Sequence, residues 1–255
     1  MKLLFLGDVV GNIGTDFVSQ KLRTLKKFYG IDVTVVNGEN SAQGNGITPT
    51  SARNLFDGGA DIITTGNHCY RRREIYHTFE TERNLIRPAN YPKGNPGRGF
   101  CVYDMGMCQL AVINLMGTVY MEALDNPFAS ADRIIASLST PNIIVDFHAE
   151  ATGEKKAMGH YLAGRVTAVF GTHTHVQTAD ETILNEHTGY ITDAGMCGPE
   201  LSVLGVKTEI AIEKQRFHSP VKFAESENAP FINGVVIEFN EKNGKCVSIE
   251  RLIIR

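Results

Sequence analysis

Short apolar runs recur along the chain, bounded by glycine or by polar residues. Five of them cover residues 2–6, 33–36, 61–65, 143–147 and 166–170. Their length and their boundaries predict buried strands. Between the first two runs, apolar residues recur at helical spacing over 15–29, and Gly30 suits the end of a helix there. The first half of the chain is therefore predicted to alternate strands and helices.

The same patterns predict the remaining elements and the fold class. Further helices are predicted over 48–56, 73–82, 129–138 and 153–163, a hairpin over 99–104 and 108–115, and strands over 182–184, 190–192, 231–239 and 246–254. Parallel strand–helix–strand units followed by antiparallel strands predict an α/β sandwich built on two sheets. The 255 residues show no break in composition, so we expect a single domain over residues 1–255.

Bulk composition disfavours several partners and compartments. With 25 basic and 28 acidic residues the net charge is −3, which gives no general attraction for nucleic acid. No apolar stretch is long enough to span a bilayer, so no membrane partner is predicted. The five cysteines are odd in number, widely scattered and without a CxxC pair. Reduced thiols of this kind indicate a cytoplasmic protein.

Polar residues able to bind a metal follow the ends of five apolar runs. In open α/β sheets, ligands bind at the carboxyl ends of the strands. Side chains delivered there by separate strands are expected to meet at one edge, which predicts a metal site. The candidates are Asp8, Glu39, Asn67 with His68, His148, His173 and His175.

Asp8 has a competing interpretation. It lies in the segment Gly7-Asp8-Val9-Val10-Gly11, whose glycines loosely resemble a dinucleotide-binding turn. The spacing does not match GxGxxG, and a carboxylate inside the turn would repel a pyrophosphate. A role for Asp8 as an oxygen ligand to a metal is therefore favoured.

The other candidates are weak singly and stronger as a set. His173 and His175 could be surface histidines, and Glu39 could be a solvated turn residue. His173 and His175, two residues apart, could reach one location from a strand end or from the loop just after it. Asp146 and His148 have the same spacing on one strand face, so Asp146 could orient the His148 imidazole. Together, the carboxylates, the amide and three imidazoles exceed what one tetrahedral ion needs. Two cations about 3.5–4 Å apart, bridged by Glu39 and a hydroxide, would use them all.

The order of these motifs resembles a known family. It is similar to the calcineurin-like metallophosphoesterases, and more closely to the YmdB-type branch of bacterial phosphodiesterases. The resemblance implies a four-layer αββα sandwich of two mixed β-sheets flanked by helices. It is carried by Gly-Asp-Val-Val-Gly at 7–11, Asn-Gly-Glu-Asn at 37–40, Gly-Asn-His at 66–68, Arg-Pro-Ala-Asn at 87–90, Asp-Phe-His-Ala-Glu at 146–150, Gly-Thr-His-Thr-His at 171–175 and Asp-Ala-Gly-Met at 193–196.

Two positions depart from the wider superfamily. Val10 stands where the usual Asp-x-His has its histidine, and Glu39-Asn40 replaces the usual Gly-Asp-x-x-Asp. Both departures resemble the YmdB-type branch, in which Asn40 would compensate for the missing histidine. Cys69-Tyr70 differs from the more usual start of the segment after Gly-Asn-His, which bears on the shape of the substrate entrance.

The resemblance implies roles for particular residues. His68 would be the general acid that protonates the leaving oxygen. The cations would be iron, with manganese chemically plausible, and the substrates would be small-molecule cyclic nucleotides of the 2′,3′ or 3′,5′ form. One ion would be held by Asp8, Glu39, Asn40 and His175, and the other by Glu39, Asn67, His148 and His173.

The predicted reaction is attack by a metal-bridging hydroxide on a phosphodiester. Two alternatives stay open. The metal site could act on phosphomonoesters, RNA ends or nucleotide anhydrides, or the protein could sense a nucleotide without cleaving it. His68 beside Asn67 favours catalysis, because a sensor needs no proton donor. We also expect a homo-oligomer, although no sequence pattern marks an interface.

Overall fold

Two mixed β-sheets pack face to face, and helices cover their outer faces. The structure is a computed structural model that describes all 255 residues. The strands are β1 Lys2–Leu6, β2 Asp8–Val9, β3 Val33–Asn37, β4 Ile62–Thr64, β5 Phe100–Asp104, β6 Gln109–Met116, β7 Ile143–His148, β8 Ala168–Thr172, β9 Thr182–Leu184, β10 Thr188–Ile191, β11 Met196–Pro199, β12 Pro230–Phe239 and β13 Cys246–Ile254. The first sheet has seven strands in the order β2-β11-β12-β1-β3-β4, with β13 paired to β12, and the second has six in the order β5-β6-β7-β8-β10-β9.

Six α-helices and one 3₁₀ turn connect the strands. Each sheet contains both parallel and antiparallel pairs, for example β1 with β3 and β1 with β12 in the first. The helices are α1 Gly11–Tyr29, α2 Pro49–Gly58, a 3₁₀ turn Arg73–Ile75, α3 Tyr76–Thr81, α4 Pro127–Ile135, α5 Thr152–Leu162 and α6 Thr208–Phe217. None of the helices combines the length and the apolar character needed to cross a bilayer.

Three buried apolar layers match the predicted four-layer order. One lies between α1, α2, α3 and the first sheet, one between the sheets, and one between the second sheet and α4 with α5. In the middle layer the rings of Phe5 on β1 and Phe170 on β8 lie 4.7 Å apart between centroids. The predicted α/β sandwich of two mixed sheets flanked by helices is therefore confirmed.

The strand register brings the predicted ligands to one edge. On the first sheet Leu6 pairs with Val36 and Asn37 pairs with Thr64. On the second sheet His148 lies opposite Met116 and Thr172. The parallel strands of each sheet thus end at the same level, and the segments that follow them can meet across the gap between the sheets.

Most predicted elements lie within a few residues of the observed ones, with three differences of substance. The first helix begins at Gly11 rather than at residue 15. A Cβ on Gly14 would lie 2.3 Å from the carbonyl oxygen of Cys197, so Gly14 allows close packing of the first helical turn on β11. The helix predicted over 73–82 begins as a 3₁₀ turn and becomes α3 only at Tyr76.

The third difference is a set of elements that the sequence patterns did not predict. These are the two-residue strand β2, the four-residue strand β11 and helix α6. Helix α6 buries only Ala211, so its sequence carries no apolar stripe. Strands β2 and β11 are too short for alternation to be visible.

Candidate metal centre

The eight predicted site residues converge at the carboxyl edge of the two sheets. From the first sheet come residues in β2 or in the segments after β3 and β4, and from the second come the end of β7 and the turn after β8. All are linked to one another by contacts of less than 4 Å between side-chain or main-chain polar atoms. They are Asp8, Glu39, Asn40, Asn67, His68, His148, His173 and His175.

Asp8 presents an unpaired buried oxygen to this cluster. Its side chain is fully buried, and Oδ2 accepts a hydrogen bond from the His173 amide at 3.0 Å. Oδ1 has no hydrogen-bond partner. It lies 3.7 Å from Nδ1 of His148 and 3.9 Å from Nε2 of His175. Burial raises the pKa of Asp8. A buried carboxylate oxygen without a donor calls for a cation.

Several ligand atoms crowd around Nε2 of His148. The Asn67 Oδ1 atom lies 2.9 Å away, the His173 Nδ1 atom 3.1 Å and the Glu39 Oε2 atom 3.3 Å. One ring nitrogen can donate only one proton, so it cannot satisfy three acceptors. The ligand atoms of Glu39, His148 and His173 all lie within 4.8 Å of one another, as they would around a metal ion.

A second group lies on the other side of Glu39. The Asn40 Nδ2 atom is 2.8 Å from Glu39 Oε1 and 3.4 Å from His175 Nε2. Glu39 therefore directs one oxygen to each group, which is the position of a bridging carboxylate. The Asn40 oxygen accepts from Nδ1 of His68 at 2.8 Å, so Asn40 would need a rotated amide to bind a metal through oxygen.

Three histidines of the cluster, His148, His173 and His175, each direct one ring nitrogen to the other ligands and the second ring nitrogen to an oxygen acceptor. Nδ1 of His148 is 2.9 Å from the Thr172 hydroxyl, which donates its own proton to Asp146 at 2.7 Å. Nε2 of His173 is 3.1 Å from the Glu150 carboxylate. Nδ1 of His175 is 3.3 Å from the Leu204 carbonyl oxygen. Since these oxygens can only accept, a neutral imidazole in each case presents a lone pair to the cluster.

Asp146 and His148 do not form the expected direct contact and are joined instead through an intervening hydroxyl group. The two residues do share a face of β7, but the Thr172 hydroxyl of β8 lies between them. Asp146 also accepts from the Asn37 amide at 2.9 Å, which joins the two sheets beneath the site. Orientation of His148 therefore depends on a neighbouring strand that the i, i+2 spacing does not reveal.

His173 and His175 lie in a turn, not in a strand. Strand β8 ends at Thr172, and the φ angles of His173 and His175 are 101° and 64°. Left-handed backbone is costly for residues other than glycine and is concentrated at functional sites. Both imidazoles thus reach the cluster from the turn just after the strand, one of the two placements that the sequence left open, and strand alternation plays no part in aligning them.

A buried ion pair holds this turn in place. Asp193 accepts from the amide of Thr174 at 3.0 Å and from its hydroxyl at 2.7 Å. Lys155 of α5 lies 2.7 Å from Asp193, and both side chains are 1% exposed. The motif that contains Asp193 was visible in the sequence. Lys155 was not singled out, because a lysine in an amphipathic helix is normally solvated.

The electrostatic field of the cluster favours positive charge. Burial alone would lower the pKa of His148, but the carboxylates of Glu39 and Asp8 outweigh burial and raise it to about 9. Burial alone would raise the pKa of Glu39, but His148 and His68 outweigh it and hold that pKa well below its usual range. Burial and the neighbouring His148 lower the pKa of His173 to about 3, which keeps its imidazole neutral.

His68 and Cys69 differ sharply in their surroundings. His68 keeps 28% of its side chain exposed, and its amide donates to Glu39 Oε2 at 3.1 Å. Cys69 is fully buried in an apolar layer, and burial raises the pKa of its thiol. The cluster thus offers only nitrogen and oxygen ligands, which suits a divalent metal ion.

Comparison with known proteins identifies the family. The YmdB-like protein family matches residues 4–252. The chain belongs to the YmdB-like family. A 2′,3′-cyclic-nucleotide 2′-phosphodiesterase of Bacillus subtilis (strain 168) is 46% identical over 256 residues, covering 100% of this chain and 97% of the relative. The predicted resemblance to metallophosphoesterases is confirmed, and membership places the chain among hydrolases of phosphoesters.

Two solved structures share the whole fold with this member of the family. A hypothetical protein from Thermus thermophilus is 37% identical with a TM-score of 0.94, covering 99% of this chain and 98% of that one. A novel phosphatase from Mycoplasma pneumoniae is 34% identical with a TM-score of 0.94, covering 100% of this chain and 93% of that one. The family implies divalent metal ions, and the ligand cluster offers a site for them.

An open cleft of about 960 Å³ leads from solvent to the cluster. Its inner wall includes Glu39, His68 and His175. Its outer part is formed largely by the segment between β11 and β12, where Phe223 is 58% exposed. The cleft therefore offers a metal-binding floor and a partly apolar wall to a substrate.

Proposed function

We propose that this protein is a dinuclear-metal phosphodiesterase that hydrolyses cyclic nucleotides, with the 2′,3′-cyclic form as the first substrate to test. The observation that carries the proposal is the meeting of nitrogen and oxygen ligand atoms from both sheets around one point. His148 Nε2 and His173 Nδ1 face each other at 3.1 Å, beside the Asn67 oxygen and a Glu39 oxygen. Burial opposes a charge on His148, but the carboxylates of Glu39 and Asp8 raise its pKa to about 9, so without metal it holds a proton here. A divalent cation would take the place of that proton among the same ligand atoms.

Two overlapping ligand sets would hold the metals. Two bound divalent cations would neutralise phosphoryl oxygens and lower the pKa of a water nucleophile. The unpaired Oδ1 of Asp8 and the shared Glu39 support the assignment. The first set is Asp8, Glu39, Asn40 and His175, and the second is Glu39, Asn67, His148 and His173. Iron is the proposed metal, with manganese as the alternative that the same ligands accept.

His68 is positioned for proton donation. It lines the cleft, and its ring Nδ1 is held by Asn40 at 2.8 Å and lies 3.3 Å from Glu39 Oε1. Nε2 makes no hydrogen bond, so when both ring nitrogens carry protons it is the one left for the leaving ribose oxygen. General acid help of this kind contributes about 10²–10⁴-fold to the rate.

The cleft wall suits a nucleoside. Phe223 is the only phenylalanine, tyrosine or tryptophan that lines the cleft. Stacking of a base on an aromatic ring contributes about 1–3 kcal/mol in single-stranded nucleic acid complexes. A substrate whose phosphate lies at the ligand cluster could place its base against this wall. The name of the Bacillus relative supports the same substrate class.

The deciding experiment combines metal analysis with a substrate panel. Protein purified without chelator is assayed for iron and manganese, then incubated with 2′,3′-cyclic AMP, 3′,5′-cyclic AMP and a phosphomonoester. We expect about two metal ions per chain and a nucleoside monophosphate product from a cyclic substrate. Turnover of the monoester alone would favour a phosphatase. Binding of a cyclic nucleotide without any product would favour a sensing role instead.

A further inference from the structure

The three consecutive arginines at 71–73 lie in three different environments. Arg72 donates to the backbone carbonyls of Gln43, Gly44 and Asn45 and so anchors the loop after β3. Arg73 begins the 3₁₀ turn, is exposed and does not line the cleft. Arg71 is exposed inside the cleft, on the wall that carries His68. Its guanidinium makes no hydrogen bond or ion pair with the protein.

The backbone and the stem of Arg71 are nevertheless held in place. Its amide donates to the carbonyl oxygen of His68 at 2.9 Å, which ties it to the same turn as the candidate general acid. Its side-chain stem packs against Gly46, where an added Cβ would lie 2.9 Å from the Cβ of Arg71 and 3.4 Å from its Cγ. A cation on an anchored stem beside the reaction site, with no partner of its own, is available for an anion of the substrate.

The charged residues around the cleft help to identify which anion of the substrate Arg71 would bind. On the other wall, Lys222 has no acidic partner, and Lys207 lies 3.6 Å from the exposed Glu227. The acidic Glu225 is occupied by the Gly44 amide at 2.6 Å. The phosphate that reacts would be bound by the metal ions that the ligand cluster would hold. A cyclic mononucleotide has no second phosphate, so it leaves the Arg71 guanidinium unused.

We propose that Arg71 binds a second phosphate of the substrate, attached at the 5′ position of the nucleotide whose 2′,3′-cyclic phosphate reacts. The inference rests on the proposed function and narrows its substrate class. The second phosphate is either a terminal 5′-phosphate or the bridging phosphate of an oligoribonucleotide. A 3′,5′-cyclic nucleotide cannot carry such a group, because its 5′ oxygen is already part of the ring.

The test compares three substrates that share one reacting group. They are adenosine 2′,3′-cyclic phosphate, the same compound with a 5′-phosphate, and an adenylyl dinucleotide ending in a 2′,3′-cyclic phosphate. For the native protein we expect a KM about tenfold lower when the second phosphate is present, as a charge-assisted contact provides. In Arg71→Gln this ratio should fall to about one. Arg73→Gln, the matched control from the same triplet, should keep it.

Two further measurements test the Arg71 contact, an ionic-strength series and a binding titration that does not depend on turnover. Because Arg71 is exposed, the preference should shrink at high ionic strength. Adenosine 3′,5′-bisphosphate and adenosine 3′-monophosphate, as product analogues, are compared by calorimetric titration, and the same Arg71-dependent ratio is expected. If no cyclic substrate is hydrolysed but the binding ratio is found, the proposed function fails and the Arg71 site stands.

The proposal is overturned by either of two results. One is a native protein that treats the substrates with and without a second phosphate alike. The other is an Arg71→Gln variant that retains the native preference. A preference limited to the 5′-phosphorylated mononucleotide or to the dinucleotide supports the proposal and identifies which source of phosphate the cleft accepts.

Discussion

At the residue scale, the site depends on acceptors that fix which nitrogen each histidine presents. Thr172, Glu150 and Leu204 supply a hydroxyl, a carboxylate and a backbone carbonyl to three different imidazoles. The histidines could be found from the sequence because they follow strand ends. Their acceptors could not be assigned, because a residue type does not show what it contacts. Thr172 and Glu150 lie within motifs that carry the family resemblance, whereas Leu204 lies outside them.

Glu150 gives a direct test of this arrangement. Glu150→Ala removes the acceptor of the His173 Nε2 proton, so the ring loses its orientation and its tautomer. Loss of such a partner typically costs about 10–100-fold in metal affinity. Competition with a fluorescent chelator measures the effect without any assay of turnover. Glu150→Gln keeps an oxygen acceptor and should bind metal more tightly than Glu150→Ala. Native affinity in Glu150→Ala would show that this contact is incidental.

His68 separates proton transfer from metal binding. His68→Ala should keep its metal, because the ring contacts the ligand set only through Asn40 and Glu39. Its kcat should fall by about 10²–10⁴-fold with the loss of the general acid. Metal content and kcat are measured on the same preparation. Glu39→Ala is the contrasting variant and should lose both, and full activity in its metal-free form would refute the scheme.

At the element scale, a turn in unfavourable backbone conformation is stabilised from a distant helix. The turn after β8 carries His173 and His175 at positive φ, and it is held by Asp193 and by Lys155 of α5. Such a turn persists only when its surroundings supply the stabilisation. Helix α5 therefore contributes to the metal site without providing a ligand.

Lys155 and its neighbour Lys156 form a matched pair for testing this. Lys155→Met leaves the Asp193 carboxylate buried without its ion-pair partner, which is expected to cost about 3–5 kcal/mol of unfolding free energy. Lys156 is 53% exposed and lies 3.2 Å from Asp180. Lys156→Met should cost less than about 1 kcal/mol. Denaturant titration of both variants measures the difference, and equal losses would contradict the anchoring role. We also expect weaker metal binding in Lys155→Met only.

At the scale of the whole molecule, the sequence predicted those features that depend on a single strand, such as where the polar residue after that strand lies. The parallel strands and the placement of seven polar residues at one edge follow from local apolar runs and from the rule for α/β sheets, whereas the role of Asn40 was implied by the family resemblance. What could not be predicted involves long-range partners. Strand β11 forms between β2 and β12, α6 buries one residue, and Lys155 meets Asp193 across 38 positions of sequence. The pattern of residues within one segment does not show which distant segment it will contact.

The proposed metal centre should also stabilise the fold as a whole, because its candidate ligands come from both sheets. Asp8, Glu39 and Asn67 belong to or follow strands of the first sheet, whereas His148 and His173 come from the second. Without metal, the buried Asp8 oxygen has no partner, which opposes the packing of the sheets. A ligand that binds only the folded state adds about 2.7 kcal/mol at one hundred times its dissociation constant.

Chelator-treated protein should therefore unfold at a lower temperature than protein with excess manganese, in one transition for both sheets. Glu39→Ala, which lacks the shared ligand, should show little response to the metal. An unchanged midpoint in the native protein would mean that the two sheets meet without help from a cation.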